Sequence, residues 1–132
     1  MKVFHELIFD EYMEETTGGV SAKAYRARMH WWPAIGNVDS LRFHGVADRV
    51  SATVSLKWTL YDTPTFDTSH LHQVKDFTPM PSLTAGQTTT FQGSVGPADA
   101  QVPASYAYVL ICSLQTVAKA HVRIWVTGRG RA

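Results

Sequence analysis

Alternation of apolar and polar residues is clearest near the end of the chain, where residues 104–127 predict two β-strands joined by a short connection. In the second strand the apolar positions are Ala120, Val122, Ile124 and Val126, and they alternate with Lys119, His121, Arg123, Trp125 and Thr127. A period of two places these sets on opposite faces of a sheet. Residues 105–114 are apolar on both faces, which favours a central strand buried on both sides and partnered by a strand with one solvated face.

The same period predicts further strands upstream. Residues 50–61 alternate strictly over six successive pairs and are rich in strand-forming residue types. Other candidate strands cover residues 20–32, 41–46 and 87–95, with a short one possible within 70–77.

The N-terminal segment, residues 2–9, fits two interpretations. As a strand, it has Val3, Leu7 and Phe9 on one face and Phe4 and Ile8 on the other. A helix also fits the apolar residues at positions 4, 7 and 8, so strand and helix both remain open.

The pattern stops in two places. Residues 62–83 contain Pro64, Pro79 and Pro81 and predict a long loop, a feature that is often functional or interface-forming. Residues 128–132 predict a basic tail. With six to eight strands and no persuasive helix, we expect residues 1–132 to form one all-β domain, an antiparallel β-sandwich or jelly-roll-like fold.

Composition changes this picture in one respect. Charged residues are 17% of the 132 positions, below the usual share of about 25%, which mildly favours an assembly in which surfaces are covered. The net charge of +1 implies no general attraction to nucleic acid or to an anionic membrane. Glu6 and Asp10 lie where a signal peptide would be apolar, so we expect no signal peptide and a cytoplasmic or virion-like location.

The charges are unevenly distributed, because the chain starts acidic and ends basic. The two ends either pair with each other or are two solvated termini, and the second interpretation is favoured.

Cys112, the only cysteine, lies in an apolar strand and is interpreted as a small buried hydrophobe.

His70 and His72 form the most suggestive metal pattern, because alternate strand positions would place both imidazoles on one face. Asp67 or Asp76 would add oxygen, but a transition-metal site needs three or four ligands. We therefore favour surface or interface histidines and expect no metal and no cofactor. A cupin-like metal-dependent enzyme, with His121 or His44 as third ligand, is the weakest alternative.

Tryptophans are candidates for contact with a partner. Trp31 and Trp32 cannot both point inward on one strand, and Trp125 falls on the polar face beside Arg123. An exposed tryptophan on a sandwich face stacks on sugars or anchors a subunit interface, and we rank the interface first. A loop that covers the sheet is a third interpretation, which would remove both.

Several stretches resemble small β-sandwich structural proteins of tailed phages and related virus-like gene clusters. The stretches are residues 52–58, Phe66-Asp67-Thr68-Ser69, residues 83–89, Tyr108-Val109-Leu110-Ile111 and residues 121–126. The loop departs from that pattern because it lacks an Asp-Gly turn. The resemblance implies a non-enzymatic shell, decoration or tail component and carries over no catalytic residues.

The leading hypothesis is accordingly a structural or assembly protein that forms a homo-oligomer or docks on a larger particle. The contact residues would be Trp32, His121, Arg123 and Trp125, together with the long loop. The alternative is a carbohydrate-binding module that uses the same tryptophans. No nucleic-acid or membrane partner is expected.

Overall fold

The computed structural model describes residues 2–27, 38–63, 70–96 and 107–130, and most of these residues lie in β-strands. In chain order the nine strands are β1 (Lys2–Glu15), β2 (Tyr25–Arg26), β3 (Val38–Asp48), β4 (Val54–Thr63), β5 (His72–Asp76), β6 (Ser82–Leu83), β7 (Thr89–Val95), β8 (Ala107–Leu114) and β9 (Ala118–Gly130). One 3₁₀ turn, Gly19–Ser21, is the helical segment of these ranges. None of their helical structure is long and apolar enough to cross a membrane.

The strands form two antiparallel sheets that pack face to face. The first sheet has the order β1-β9-β3-β7, and the second has the order β2-β8-β4-β5 with β6 paired to β4. The inward residues of both sheets make one buried cluster that includes Phe9, Phe43, Trp58, Leu110 and Ile124. The predicted all-β antiparallel sandwich is therefore confirmed, with nine strands in the described ranges instead of six to eight.

The last two strands are not partners of each other. β8 pairs with β2 and β4, whereas β9 pairs with β1 and β3, so residues 115–117 carry the chain from one sheet to the other. The predicted burial of β8 is confirmed at Tyr108, Val109 and Leu110. Alternation reports which face of a strand is buried, but it does not report which strand lies beside it.

β1 is a strand and not a helix, and a bulge divides it. The register with β9 shifts between Leu7 and Phe9, which makes Ile8 an extra residue. Leu7 is 43% exposed, whereas Ile8 and Phe9 are both buried. The prediction that Leu7 and Phe9 share a face is wrong, because a bulge reverses the alternation.

Other predicted boundaries also change. Of the predicted 20–32 strand the structure describes residues 20–27, in which the strand is limited to Tyr25–Arg26; residues 28–37, with Trp32, lie outside the described part. The predicted 62–83 loop contains the end of β4 and the short strands β5 and β6. The predicted basic tail is wrong for residues 128–130, because Gly128 and Gly130 pair with both β1 and β3.

Candidate functional site

β9 organises a surface on the first sheet because it lies between β1 and β3. Its apolar set, Ala120, Val122, Ile124 and Val126, is buried, so the alternate side chains point away from the core. Residues paired with those outward positions on β1 and β3 share the same side of the sheet. We call this surface the outer face; its main residues are Leu7, Asp10, Tyr12, Glu14, Arg42, His44, Val46, Asp48, Lys119, His121, Arg123 and Trp125.

An apolar and aromatic row crosses the middle of the outer face. Trp125 lies opposite Leu7 on one side and His44 on the other. The guanidinium of Arg123 lies over the Trp125 ring, 5.9 Å from its centroid. Two of the predicted contact residues, Arg123 and Trp125, are therefore partly exposed and next to each other.

The next row holds His121 between two carboxylates. Its Nε2 lies 2.6 Å from Asp10 Oδ1, and its Nδ1 lies 3.3 Å from Asp48 Oδ1. The ring of Tyr12 stacks on the imidazole with centroids 4.0 Å apart, and Tyr12 itself is 64% exposed. The expectation of an exposed His121 is wrong, since its side chain is only 11% accessible. Tyr12 offers a ring to solvent at this position.

Arg123 links the two rows. Its Nη2 lies 3.7 Å from Asp48 Oδ2. In the described part of the chain, the buried atoms Arg123 Nε and Asp48 Oδ1 have no hydrogen-bond partner of good geometry.

The acidic start and the basic end of the chain meet on this face. Asp10 lies opposite Arg123 and Glu14 lies opposite Lys119, with Lys119 Nζ 3.9 Å from Glu14 Oε1. The favoured interpretation of two separate solvated termini is wrong, because β1 and β9 are antiparallel neighbours. The Glu14–Lys119 pair is exposed, and such pairs contribute only about 0.2–1 kcal/mol.

The predicted metal pattern is not formed by alternate strand positions, because His72 begins β5 of the second sheet and His70 precedes that strand. His70 and His72 are both exposed, and His72 Nδ1 is 3.2 Å from the buried Asp62 Oδ1. Asp76 instead accepts a hydrogen bond from Thr59 Oγ1 at 2.9 Å. Among the residues that the structure describes, no group of three or more His, Cys, Asp or Glu side chains could hold a metal ion.

The suggested third metal ligands are in a different sheet. His44 and His121 belong to the first sheet and His72 to the second, and Asp67 lies outside the described residues. The buried Asp62 lies opposite Tyr108 on the neighbouring strand β8, and its negative charge affects the pKa of the Tyr108 hydroxyl. Burial, together with the negative charge of Asp62, raises the pKa of Tyr108 to about 12.

Glu15 has a role that its place in an acidic run did not suggest. Its buried carboxylate accepts hydrogen bonds from the backbone N–H groups of Lys23 (2.6 Å), Gly18 (2.8 Å) and Thr17 (3.3 Å). The bond from Lys23 is the largest cause that lowers the pKa of Glu15. Glu15 thereby holds the loop that follows β1. In the sequence, the turn residues Thr16-Thr17-Gly18-Gly19 directly after an acid are the feature that could have indicated this role of Glu15.

A groove runs along the edge of the sandwich between β7 and residues 77–81. It is an open groove of about 360 Å³, and its lining includes the aromatic residues Trp58, Phe77 and Phe91 and the polar residues Lys75 and Gln92. Trp58 and Phe77 are stacked with centroids 4.1 Å apart. Sequence reasoning assigned residues 77–81 to a loop and did not find this groove.

No protein-family model matches the chain, and no curated protein sequence matches it. Solved structures do match. The infectious bursal disease virus Gt strain structure is 13% identical with a TM-score of 0.67, and the match covers 96% of this chain and 31% of that chain. The VP2 subviral particle of the same virus is 13% identical with a TM-score of 0.59, covering 96% and 32%.

A second kind of structure also matches. The CBM22-1 xylan-binding domain of Paenibacillus barcinonensis Xyn10C is 12% identical with a TM-score of 0.51, and the match covers 97% of each chain. This chain spans about a third of the length of the viral proteins it matches. At such low identities the likeness shows the β-sandwich fold alone.

Proposed function

We propose that this chain is a non-enzymatic structural protein that associates with copies of itself, or docks on a larger phage-like particle, through the outer face. The observation that carries the proposal is the grouping of Trp125, Tyr12 and Arg123 with the exposed Leu7. Trp, Tyr and Arg are the residue types enriched at the energetic centres of protein interfaces.

The charges of the outer face suit contact with another protein. Asp10 and Glu14 make the β1 side acidic, whereas Arg42 on β3 and Lys119 and Arg123 on β9 are basic. Both signs on one surface allow complementary pairing between copies, which favours a defined orientation. The 17% share of charged residues in the chain agrees with a protein that covers part of its surface.

The likeness to virus-particle structures supports this proposal at the level of architecture. Those matches have TM-scores of 0.59 to 0.67, and they cover 96% of this chain. A sandwich of this kind is therefore compatible with a role in a particle. The predicted virion-like or cytoplasmic location follows from the same proposal.

Multi-angle light scattering over a concentration series tests the proposal. Trp125→Ala should weaken self-association about tenfold or more, because truncation of an interface anchor commonly costs over 1 kcal/mol. Val117→Ala removes another exposed apolar side chain outside the outer face and is the matched control. A wild-type protein that stays monomeric and binds no particle would contradict the proposal, as would equal association of the Trp125 variant.

A carbohydrate-binding module is the second candidate, and the full-length match to a xylan-binding domain favours it. Stacking a sugar needs an open ring face, and Arg123 lies over the Trp125 ring. We therefore rank this function below assembly. Titration with xylo-oligosaccharides and a wider glycan panel, followed by tryptophan fluorescence, should leave the signal unchanged. A saturable change that Trp125→Ala abolishes would reverse the ranking.

A further inference from the structure

The outermost strands of the two sheets differ in how they are protected. In the described ranges these strands are β1 and β7 in the first sheet and β2 and β5 in the second. An outermost strand presents backbone N–H and C=O groups that can pair with another chain. Proteins usually prevent such pairing with charges, bulges, prolines or very short strands.

Three of the four edges carry such devices. β1 has the bulge after Leu7 and several acids, and the Tyr25 hydroxyl bonds to both the N–H (3.0 Å) and the C=O (3.2 Å) of Glu14. β2 is only two residues long. β5 contains Lys75 and Asp76 and has a register shift opposite Leu60 and Tyr61.

β7 has none of these devices. Its seven residues, Thr89–Val95, include no charged residue and no proline. It pairs with β3 through seven consecutive residue pairs, from Leu41↔Val95 to Ala47↔Thr89, without a bulge. Thr90, Gln92 and Ser94 are exposed on its outward side. A flat, neutral edge of this length is suited to receive another strand.

We propose that β7 pairs antiparallel with β7 of a second copy around a two-fold axis at Gln92, which joins two four-stranded sheets into one of eight strands. This inference rests on the self-association proposed above and assigns it a second surface. Gln92 is the central residue of β7, so this register uses all seven residues of both strands. The contact is isologous, as in most closed dimers.

Charge favours a second copy as the partner. β7 brings no charge to a contact with a second β7, whereas self-pairing of β1 would place Asp10, Glu11 and Glu14 near their own copies. In the proposed register, Phe91 lies opposite Gly93 of the second copy, where Phe77 of that copy already occupies the space of a Cβ.

The groove lies directly along this edge. Phe91 and Gly93 line it from β7, and Phe77 lines it from the facing segment. Inward side chains of an added strand would enter its volume of about 360 Å³. The edge therefore offers backbone pairing and an apolar site for alternate side chains at the same place.

Charge variants at the proposed axis test the idea. In Gln92→Lys and in Gln92→Glu, like charges face each other across the axis, so each variant alone should dimerise about tenfold more weakly or worse. An equimolar mixture of the two should recover dimers. Thr116→Lys adds the same charge at an exposed turn and should dimerise like wild type. Wild-type dimerisation by both variants alone would overturn the proposal.

Cysteine substitution tests the register. Directly opposed antiparallel positions have Cα atoms about 4.5–5.5 Å apart, within disulfide range. Under mild oxidation Gln92→Cys should form a covalent dimer, and Thr90→Cys should cross-link with Ser94→Cys but not with itself. Cys112 should stay unreactive, because burial raises the pKa of its thiol. Equal cross-linking of Thr116→Cys and Gln92→Cys would refute the register.

The Trp125 and Gln92 variants distinguish the outer-face contact from the β7 contact. If Trp125→Ala dissociates the protein and both Gln92 charge variants do not, the outer face stands and the β7 contact is wrong. If the Gln92 variants dissociate it and Trp125→Ala does not, self-association stands without the outer face. Neither result depends on misfolding, because Gln92 is exposed and thermal unfolding of each variant reports its stability.

Discussion

Replacement of His121 by alanine is the sharpest test of how the outer face is held together. The imidazole is almost fully buried, stacks on Tyr12 at 4.0 Å and lies 2.6 Å from Asp10 Oδ1. We expect His121→Ala to lower stability while Lys119→Ala, an exposed neighbour on the same strand, has little effect.

The magnitude follows from these two contacts. An aromatic pair contributes about 0.5–1.5 kcal/mol beyond burial. A hydrogen bond to a charged group contributes about 1.5–3 kcal/mol, and the lower end applies because Asp10 is half exposed. The combined loss is about 2 kcal/mol, which lowers the melting temperature of a chain of this size by about 6–10 °C.

Thermal and urea unfolding of both variants provide the measurement. A double-mutant cycle with Tyr12→Ala should show a coupling energy of about 1 kcal/mol for the stacked pair. The reasoning fails if His121→Ala unfolds within about 0.5 kcal/mol of Lys119→Ala, the range of ordinary surface changes. In that case the stacking and the bond to Asp10 would not hold the imidazole.

Two further predictions concern the loop and the groove. The pKa of Glu15 is lowered in the folded protein, so the stability that Glu15 contributes is present above its unfolded pKa and is lost as the pH falls through its folded pKa. The Glu15→Gln variant should therefore be less stable than wild type at pH 7 and should lose less stability on acidification. Urea unfolding at several pH values measures both effects. Gly93→Ala should destabilise by about 1–3 kcal/mol, since its Cβ would lie 2.3 Å from Phe77 Cδ1 and 3.1 Å from Trp58. Gln73→Ala, at an exposed strand position of β5, should be neutral in the same melts.

Alternation was a sufficient guide wherever a strand was regular. It predicted the apolar set of β9 that is buried and the strict alternation of residues 50–61, in which Val54, Leu56, Trp58 and Leu60 are buried. These predictions succeed because a half-buried strand must place alternate residues on the core face. The bulge in β1 defeated the same rule, since one extra residue reverses every later side chain.

Neighbour relations explain why half of the candidate site was missed. Arg123 and Trp125 were found from their own strand, but Tyr12, Asp10 and Asp48 join them only because β1 and β3 flank β9. His121 contacts Asp10, which lies 111 positions earlier in the chain, and Asp48, which lies 73 positions earlier. No local pattern encodes contacts of that separation.

The outer face and the β7 edge would act together. A two-fold axis through an antiparallel strand pair is perpendicular to the sheet, so the outer faces of both copies would lie on the same side of the eight-stranded sheet. In the order β9-β3-β7-β7-β3-β9, the two copies of Trp125 would be five strand spacings apart, about 24 Å in a flat sheet. A particle with regularly repeated sites could then bind both faces of one dimer. Because the second contact is intramolecular, Gln92→Lys should weaken binding to such a particle although Gln92 lies two strands away from Trp125 in the sheet.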